Sequence, residues 1–271
     1  MRRLPAALAI AAVLTQVLYP LLSGAPLRAA TVVSVVLFCA AAVTHAGLTR
    51  GPRAAALVLL VAGGVGLAAE SVGVATGVPF GQYAYTGTLG PELLGVPVVV
   101  PLAWTMMAWP ALVVARRLAG PGWAAVPVAT WLLAAWDLFL DPQMVAEGHW
   151  VWAFPEPGLP GLDGIPLTNF AGWLLVAALM QTLLHLAVPA AGLGGRAGLG
   201  AQGVPALLVG WTWLGSTLAN LAFFGRPVVA LYGFVGMGLV AGPYLLVLRR
   251  DLLRRRGQDA AGPAGHDRVA S

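Results

Sequence analysis

Eight stretches of about 20 apolar residues, each nearly free of charge, constrain this chain more than any other feature. They cover 4–22, 29–48, 54–76, 94–115, 123–141, 167–188, 204–224 and 228–248. At a rise of ~1.5 Å per residue, such stretches match the hydrocarbon thickness of a bilayer. Inside it each helix satisfies its own backbone groups. Charged residues make up 9% of the chain, against about 25% in soluble domains, which excludes a water-soluble globule. The expectation is an all-α integral membrane protein, a bundle of about eight transmembrane helices with seven as the smaller alternative. It forms one transmembrane domain over 1–248, followed by a basic, disordered cytoplasmic tail over 249–271.

The first stretch, opening Met1-Arg2-Arg3, has the flank of a signal peptide. With seven more stretches behind it, it is read as a retained first helix. Pro101, Pro110, Pro127 and Pro243 lie inside stretches, where neighbouring helices can re-satisfy freed backbone groups. All fifteen basic residues are Arg, and the net charge is +5. Cytoplasmic loops collect arginine. With the N-terminus inside, thirteen of the fifteen fall on the inner side, leaving Arg28 and Arg226 outside. The high pI therefore orients the protein, N-in and C-in in the cell membrane, rather than binding nucleic acid. The single Cys39 excludes disulfide frameworks and cysteine metal sites.

Three carboxyl groups interrupt the stretches: Glu70, Asp137 and Asp141. A carboxyl in a membrane is costly, and its default reading is functional. Glu70 lies ~9 Å and Asp137 ~6 Å short of the outer ends of their stretches, so they share a depth. Asp137 and Asp141, four apart, share one helix face. Asn169 and Asn220 sit near the same level. The outer connections 77–93 and 142–166 hold no basic residue but carry Tyr83, Tyr85, Glu147, His149, Trp150 and Trp152. Connections this long commonly bind or cover something.

Structural readings stand beside these. Glu70 also suits a protonated helix–helix hydrogen-bond partner, and Asp141 a helix end before Pro142. Trp150 and Trp152 also suit an interfacial belt. His45 and His185, near inner ends, read as structural. Asp141, Glu147 and His149 match no established metal-ligand spacing, so no metal and no cofactor is expected.

Carboxyl groups in an apolar, aromatic pocket without a basic partner suit acid catalysis. Burial disfavours the charged form, so such an acid can hold a proton near neutral pH. A trisubstituted alkene is a weak base whose protonation yields a tertiary carbocation. Aromatic faces can stabilise that cation, and a second carboxylate can deprotonate attacking water.

These residues resemble the membrane carotenoid biosynthesis family that includes the carotenoid hydratases. The resemblance is carried in order by five stretches. They are Glu70 with Gly77-Val-Pro-Phe-Gly-Gln-Tyr-Ala-Tyr85; Leu94-Gly-Val-Pro-Val-Val-Val-Pro-Leu-Ala-Trp104; Asp137-Leu-Phe-Leu-Asp-Pro142; Gly148-His-Trp-Val-Trp152; and Gly164-Ile-Pro-Leu-Thr-Asn-Phe-Ala-Gly-Trp173. It implies hydration of a terminal isoprenoid double bond of an acyclic or C50 carotenoid to a tertiary alcohol, the work of a hydro-lyase. Glu70, Asp137 and Asp141 fall on the family's acidic positions, and Tyr83, Tyr85, Trp104 and Asn169 on its polar and aromatic ones. Asp137 is favoured as proton donor, with Glu70 or Asp141 positioning water. Trp136, Trp150, Trp152 and Asn220 complete the expected substrate wall. Leu162-Asp163 stands where the family pattern leads one to expect aromatic residues.

The partner is a carotenoid within the bilayer, with other enzymes of carotenoid synthesis as candidate protein partners. A cyclase working through the same cation and a non-enzymatic carotenoid carrier are the alternatives. A prenyltransferase would need a second Asp-rich motif and basic residues on the acidic side. A transporter would show inverted repeats with broken helices, and no internal repeat is evident.

Overall fold

The structure is a computed structural model and describes residues 3–190 and 200–260. Among these residues the chain forms eight helices: α1 (Leu4–Val17), α2 (Gly24–Arg50), α3 (Pro52–Thr76), α4 (Val99–Ala119), α5 (Ala125–Ala146), α6 (Leu167–Ala187), α7 (Gly203–Ala222) and α8 (Pro227–Ala260). A 3₁₀ turn, Tyr19–Leu21, extends α1. Six of the eight are long and apolar enough to cross a membrane. The other two, α5 and α7, span about 33 and 30 Å and are less apolar because α5 carries two aspartates and α7 is rich in glycine, hydroxyl and indole groups. The molecule is an all-α membrane protein.

The architecture is organised around α4, which packs against α2, α3, α5, α6, α7 and α8. It is apolar on every side, as an enclosed helix must be, and Trp104 to Arg116 are buried without a break. Small residues let neighbours approach it. A Cβ on Gly66 of α3 would lie 2.8 Å from the Trp104 ring.

Three boundaries differ from expectation. The fourth helix starts at Val99 rather than 94, because β2 (Glu92–Leu93) and β3 (Val96–Pro97) form a tight hairpin. Leu94 (φ 53°) and Gly95 (φ 78°) supply its two positive-φ positions, the pattern of a type I′ turn. The fifth runs through Pro142 to Ala146, so Asp141 sits within the helix rather than at its end. Pro142 removes one N–H, and four more helical residues, Gln143 to Ala146, complete the turn after it. Finally, α8 continues to Ala260. Residues 249–260 are therefore helical rather than disordered, anchored in part by the Arg117–Asp251 ion pair, while 261–271, like Arg2 and Arg196, lie outside the described residues.

One end of the bundle is basic. There Arg50, Arg116 and Arg117 meet the C-terminal end of α6 and the extension of α8. His45 is a structural joint at this end. Its Nδ1 accepts from Trp109 Nε1 at 3.0 Å and its Nε2 faces the Ala201 carbonyl at 2.8 Å. That pattern requires the proton on Nε2. At the opposite end the two long connections meet. Strand β1 (Tyr83–Tyr85) pairs antiparallel with β4 (Trp150–Trp152) in the register Tyr83–Trp152, Ala84–Val151, Tyr85–Trp150. Side chains alternate along a strand. Both tyrosines and both tryptophans therefore turn inward, while Ala84 and Val151 face out.

Candidate active site

Beneath this two-stranded cover lies a cavity of about 160 Å³, open at its mouth. Its walls come from α1 to α7 and from the covering strands, with Glu70 the contribution of α3.

Glu70 stands in the last two turns of α3 and is held from three directions. Its Oε2 accepts from Tyr83 Oη at 2.5 Å and Tyr85 Oη at 2.8 Å, and its Oε1 accepts from Trp104 Nε1 at 2.9 Å. The indole N–H can only donate, which fixes Oε1 as an acceptor. Gly66 and Gly73 make room for this clamp. A Cβ on Gly73 would come within 2.9 Å of the Tyr83 hydroxyl. Burial first, and Glu70 second, hold the Tyr83 and Tyr85 hydroxyls well above the ordinary tyrosine range. Both therefore remain donors.

Across the cavity, Asp137 and Asp141 of α5 share one partner at the start of α6. Asn169 Nδ2 donates to Asp137 Oδ2 at 3.0 Å and to Asp141 Oδ2. Asp141 lines the cavity. Asp137 is not among the lining residues; it is 0% exposed, and no N–H or O–H donor among the described residues reaches its Oδ1. Two carboxylates this close in a medium of low dielectric repel strongly, and one shared proton removes that repulsion.

Between the two acidic centres the wall is aromatic. Trp173 stacks on Trp104 with centroids 3.9 Å apart and meets Trp136 edge-on at 5.8 Å. Tyr83 lies beside Trp152 and Tyr85 beside Trp150, each at 5.7 Å. Trp150 and Trp152 are 8% and 6% exposed. They are cavity walls, and a lipid-facing belt does not describe them. The Trp152 indole is further tied to the Phe80 carbonyl at 2.9 Å.

The structure thus brings Glu70, Asp141, Tyr83, Tyr85, Trp104, Trp136, Trp150, Trp152, Asn169 and Asn220 onto one cavity and sets Asp137 immediately behind it. Asn220 donates to the Ser216 carbonyl and keeps a buried, unpartnered Oδ1. Asp141, Glu147 and His149 do not converge. His149 turns to Thr88 at 2.7 Å and to Glu147 at 3.3 Å, while Asp141 turns to Asn169. Among the described residues no group of three or more His, Cys, Asp or Glu could hold a metal ion.

Sequence reasoning did not single out Trp173, although it stands one turn beyond Asn169 and so on the same face of α6. It also missed the hydroxyl-bearing wall of Tyr19, Thr31, Ser34, Thr212 and Ser216. The Thr31 and Thr212 hydroxyls return to carbonyls of their own helices, and in sequence that habit cannot be told from ordinary packing.

The fold and the site together define a polytopic membrane protein with an acidic, aromatic pocket buried under its loops at one end. The family described as carotenoid biosynthesis protein matches residues 30–240, more than three-quarters of the 271 residues. The chain belongs to that family. It is also similar to the bisanhydrobacterioruberin hydratase of Haloarcula japonica, 37% identical over 134 residues. That match covers 47% of this chain and 43% of the relative, so the chain aligns with less than half of the relative's length. No solved structure matches.

Proposed function

We propose that this protein adds water to a terminal isoprenoid double bond of an acyclic or C50 carotenoid, giving a tertiary alcohol. The observation that carries the reading is the presence of two separate carboxyl centres on one aromatic-walled cavity. One is a pair with a shared donor, and the other is clamped by three donors. Similarity to a relative named as a hydratase supports it.

In this mechanism the Asp137–Asp141 pair holds one proton. Asp141, which lines the cavity, delivers it to the less substituted alkene carbon, and Asp137 and Asn169 act as positioning residues behind it. This reassigns the donor role expected of Asp137. The cation forms on the tertiary carbon, where the faces of Trp104, Trp136 and Trp173 stabilise it electrostatically. Water adds to that carbon and loses a proton to Glu70, so one proton enters and one leaves. The steps need only proton transfer and water.

The polyene enters from the bilayer, the site lies on the outer half, and both termini face the cytoplasm in the cell membrane. Other enzymes of carotenoid synthesis are its candidate neighbours. The single domain covers 1–248.

The test is expression in a host that accumulates acyclic and C50 dehydrated carotenoids, with pigments analysed by chromatography and mass spectrometry. The expected result is a more polar product heavier by one water. Asp141→Asn and Glu70→Gln should each lower its formation by about 10²-fold or more while the protein remains in the membrane. A product of unchanged mass would mean that a neighbouring alkene captures the cation, as in a cyclase. An unaltered pigment pool with folded protein present would sink the enzymatic reading.

A further inference from the structure

At the basic end of the bundle, opposite the cavity, two arginines keep buried donors without acceptors. Arg116 of α4 is 5% exposed. One terminal nitrogen donates to the carbonyls of Val188, at 2.7 Å, and His185, at 3.3 Å. Its Nε and its other terminal nitrogen have no partner among the described residues. Arg50, the last residue of α2, donates an N–H from one terminal nitrogen to the Ala190 carbonyl at 3.2 Å, and its Nε and second terminal nitrogen likewise have no partner among the described residues. Two residues of chain span at most ~7 Å, so these bonds to Val188 and Ala190 bring the two guanidinium groups into one neighbourhood. They repel each other there. His185, which feels Arg116, adds an unpartnered Nδ1.

Cations are favoured at a helix C-terminus, and capping α6 accounts for the bonds that are made. It leaves four guanidinium N–H-bearing nitrogens buried and unsatisfied, which is costly. It also leaves two like charges side by side. Neither arginine pairs with a carboxylate among the described residues, in contrast to Arg117, which meets Asp251. What would satisfy both the hydrogen-bond and the charge requirement is an anion with several acceptor oxygens. The planar guanidinium fork matches a phosphate in this way.

We propose that Arg50 and Arg116 form a phosphate-binding site at this end of the bundle, occupied by the headgroup of an anionic phospholipid. The level fits that source. Arg50 ends a membrane-crossing helix, and basic pockets between helices on the cytoplasmic side take up anionic headgroups. The free phosphate anion has the same chemistry, so the experiment separates the two.

The test uses the full chain purified in a neutral detergent. Its thermal unfolding is followed while phosphatidylglycerol, phosphatidylcholine or inorganic phosphate is added. Phosphatidylglycerol should raise Tm saturably by about 5 °C, with no saturable rise from phosphatidylcholine. The rise should be lost in Arg50→Gln and Arg116→Gln and kept in Arg249→Gln/Arg250→Gln, a pair of exposed arginines on the α8 extension. An equal rise with inorganic phosphate, lost in the same variants, supports the site and assigns it to the free anion. No saturable rise with either in the unaltered protein, or a rise that survives both single variants, overturns the proposal. Should those variants fail to fold, native mass spectrometry of the unaltered protein decides the matter. Retention of phosphatidylglycerol no greater than that of phosphatidylcholine would overturn it.

Discussion

Glu70 illustrates how much one side chain depends on its neighbours. A carboxyl in a membrane helix is costly, and here the cost is offset by three hydrogen bonds from residues 13, 15 and 34 positions away. Tyr85→Phe removes one of them and leaves Oε2 with Tyr83 alone. A hydrogen bond to a charged group contributes about 1.5–3 kcal/mol. We therefore expect water addition to fall by at least tenfold with the product unchanged, as measured on extracted pigments. Equal activity would remove Tyr85 from the clamp's function. The tyrosines also set a pH dependence. Their folded-state values lie above the ordinary tyrosine value. Their contribution to stability is therefore complete below pH ~10 and declines as pH rises towards the folded-state values. Ultraviolet titration should find fewer ionised tyrosines in the folded protein than in the unfolded chain above pH ~10. Tyr83→Phe/Tyr85→Phe should narrow that gap.

At the scale of elements, the site exists because helices approach closely where side chains are absent. Gly66 faces the Trp104 ring and Gly73 faces Phe80 and Tyr83, so α3 can bring Glu70 to donors on α4 and on the covering strand. Gly66→Ala places a methyl carbon 2.8 Å from the indole. Overpacking of this kind costs about 1–3 kcal/mol. Both the stability of the purified protein and its activity should fall, because Trp104 must shift away from Glu70. A variant with unchanged Tm and full activity would show that α3 and α4 can separate without loss. Ala62 and Gly66 stand one turn apart in α3, and small residues so spaced suit close helix packing. What they pack against was not legible in the sequence, because 3.6-residue periodicity identifies a face and says nothing about the partner on the other side.

For the whole molecule, the distribution of arginine makes a topological prediction. In a Cys39→Ser background, Phe154→Cys lies in the exposed connection between α5 and α6 and Leu253→Cys on the exposed α8 extension. A membrane-impermeant maleimide should label the first in intact cells and the second only after the membrane is opened. The reverse pattern would invert the protein. The apolar stretches and their charge-poor interiors determined by themselves that the chain is a helical membrane bundle, since a bilayer admits few other solutions. The carboxyls at matching depth, with the aromatic connections beside them, marked the end of the bundle at which the cavity lies. Long-range contacts decided the rest. Strand pairing between the two long connections turned four aromatics inward that composition could equally assign to an interfacial belt. The extension of α5 through Pro142 made Asp141 a wall residue and set Asp137 behind it. Trp173 joined the site by stacking across the bundle on α4. Local sequence specifies helices, faces and depths. Which faces meet depends on pairwise fit between segments separated by tens of residues, and only the folded bundle brings those together.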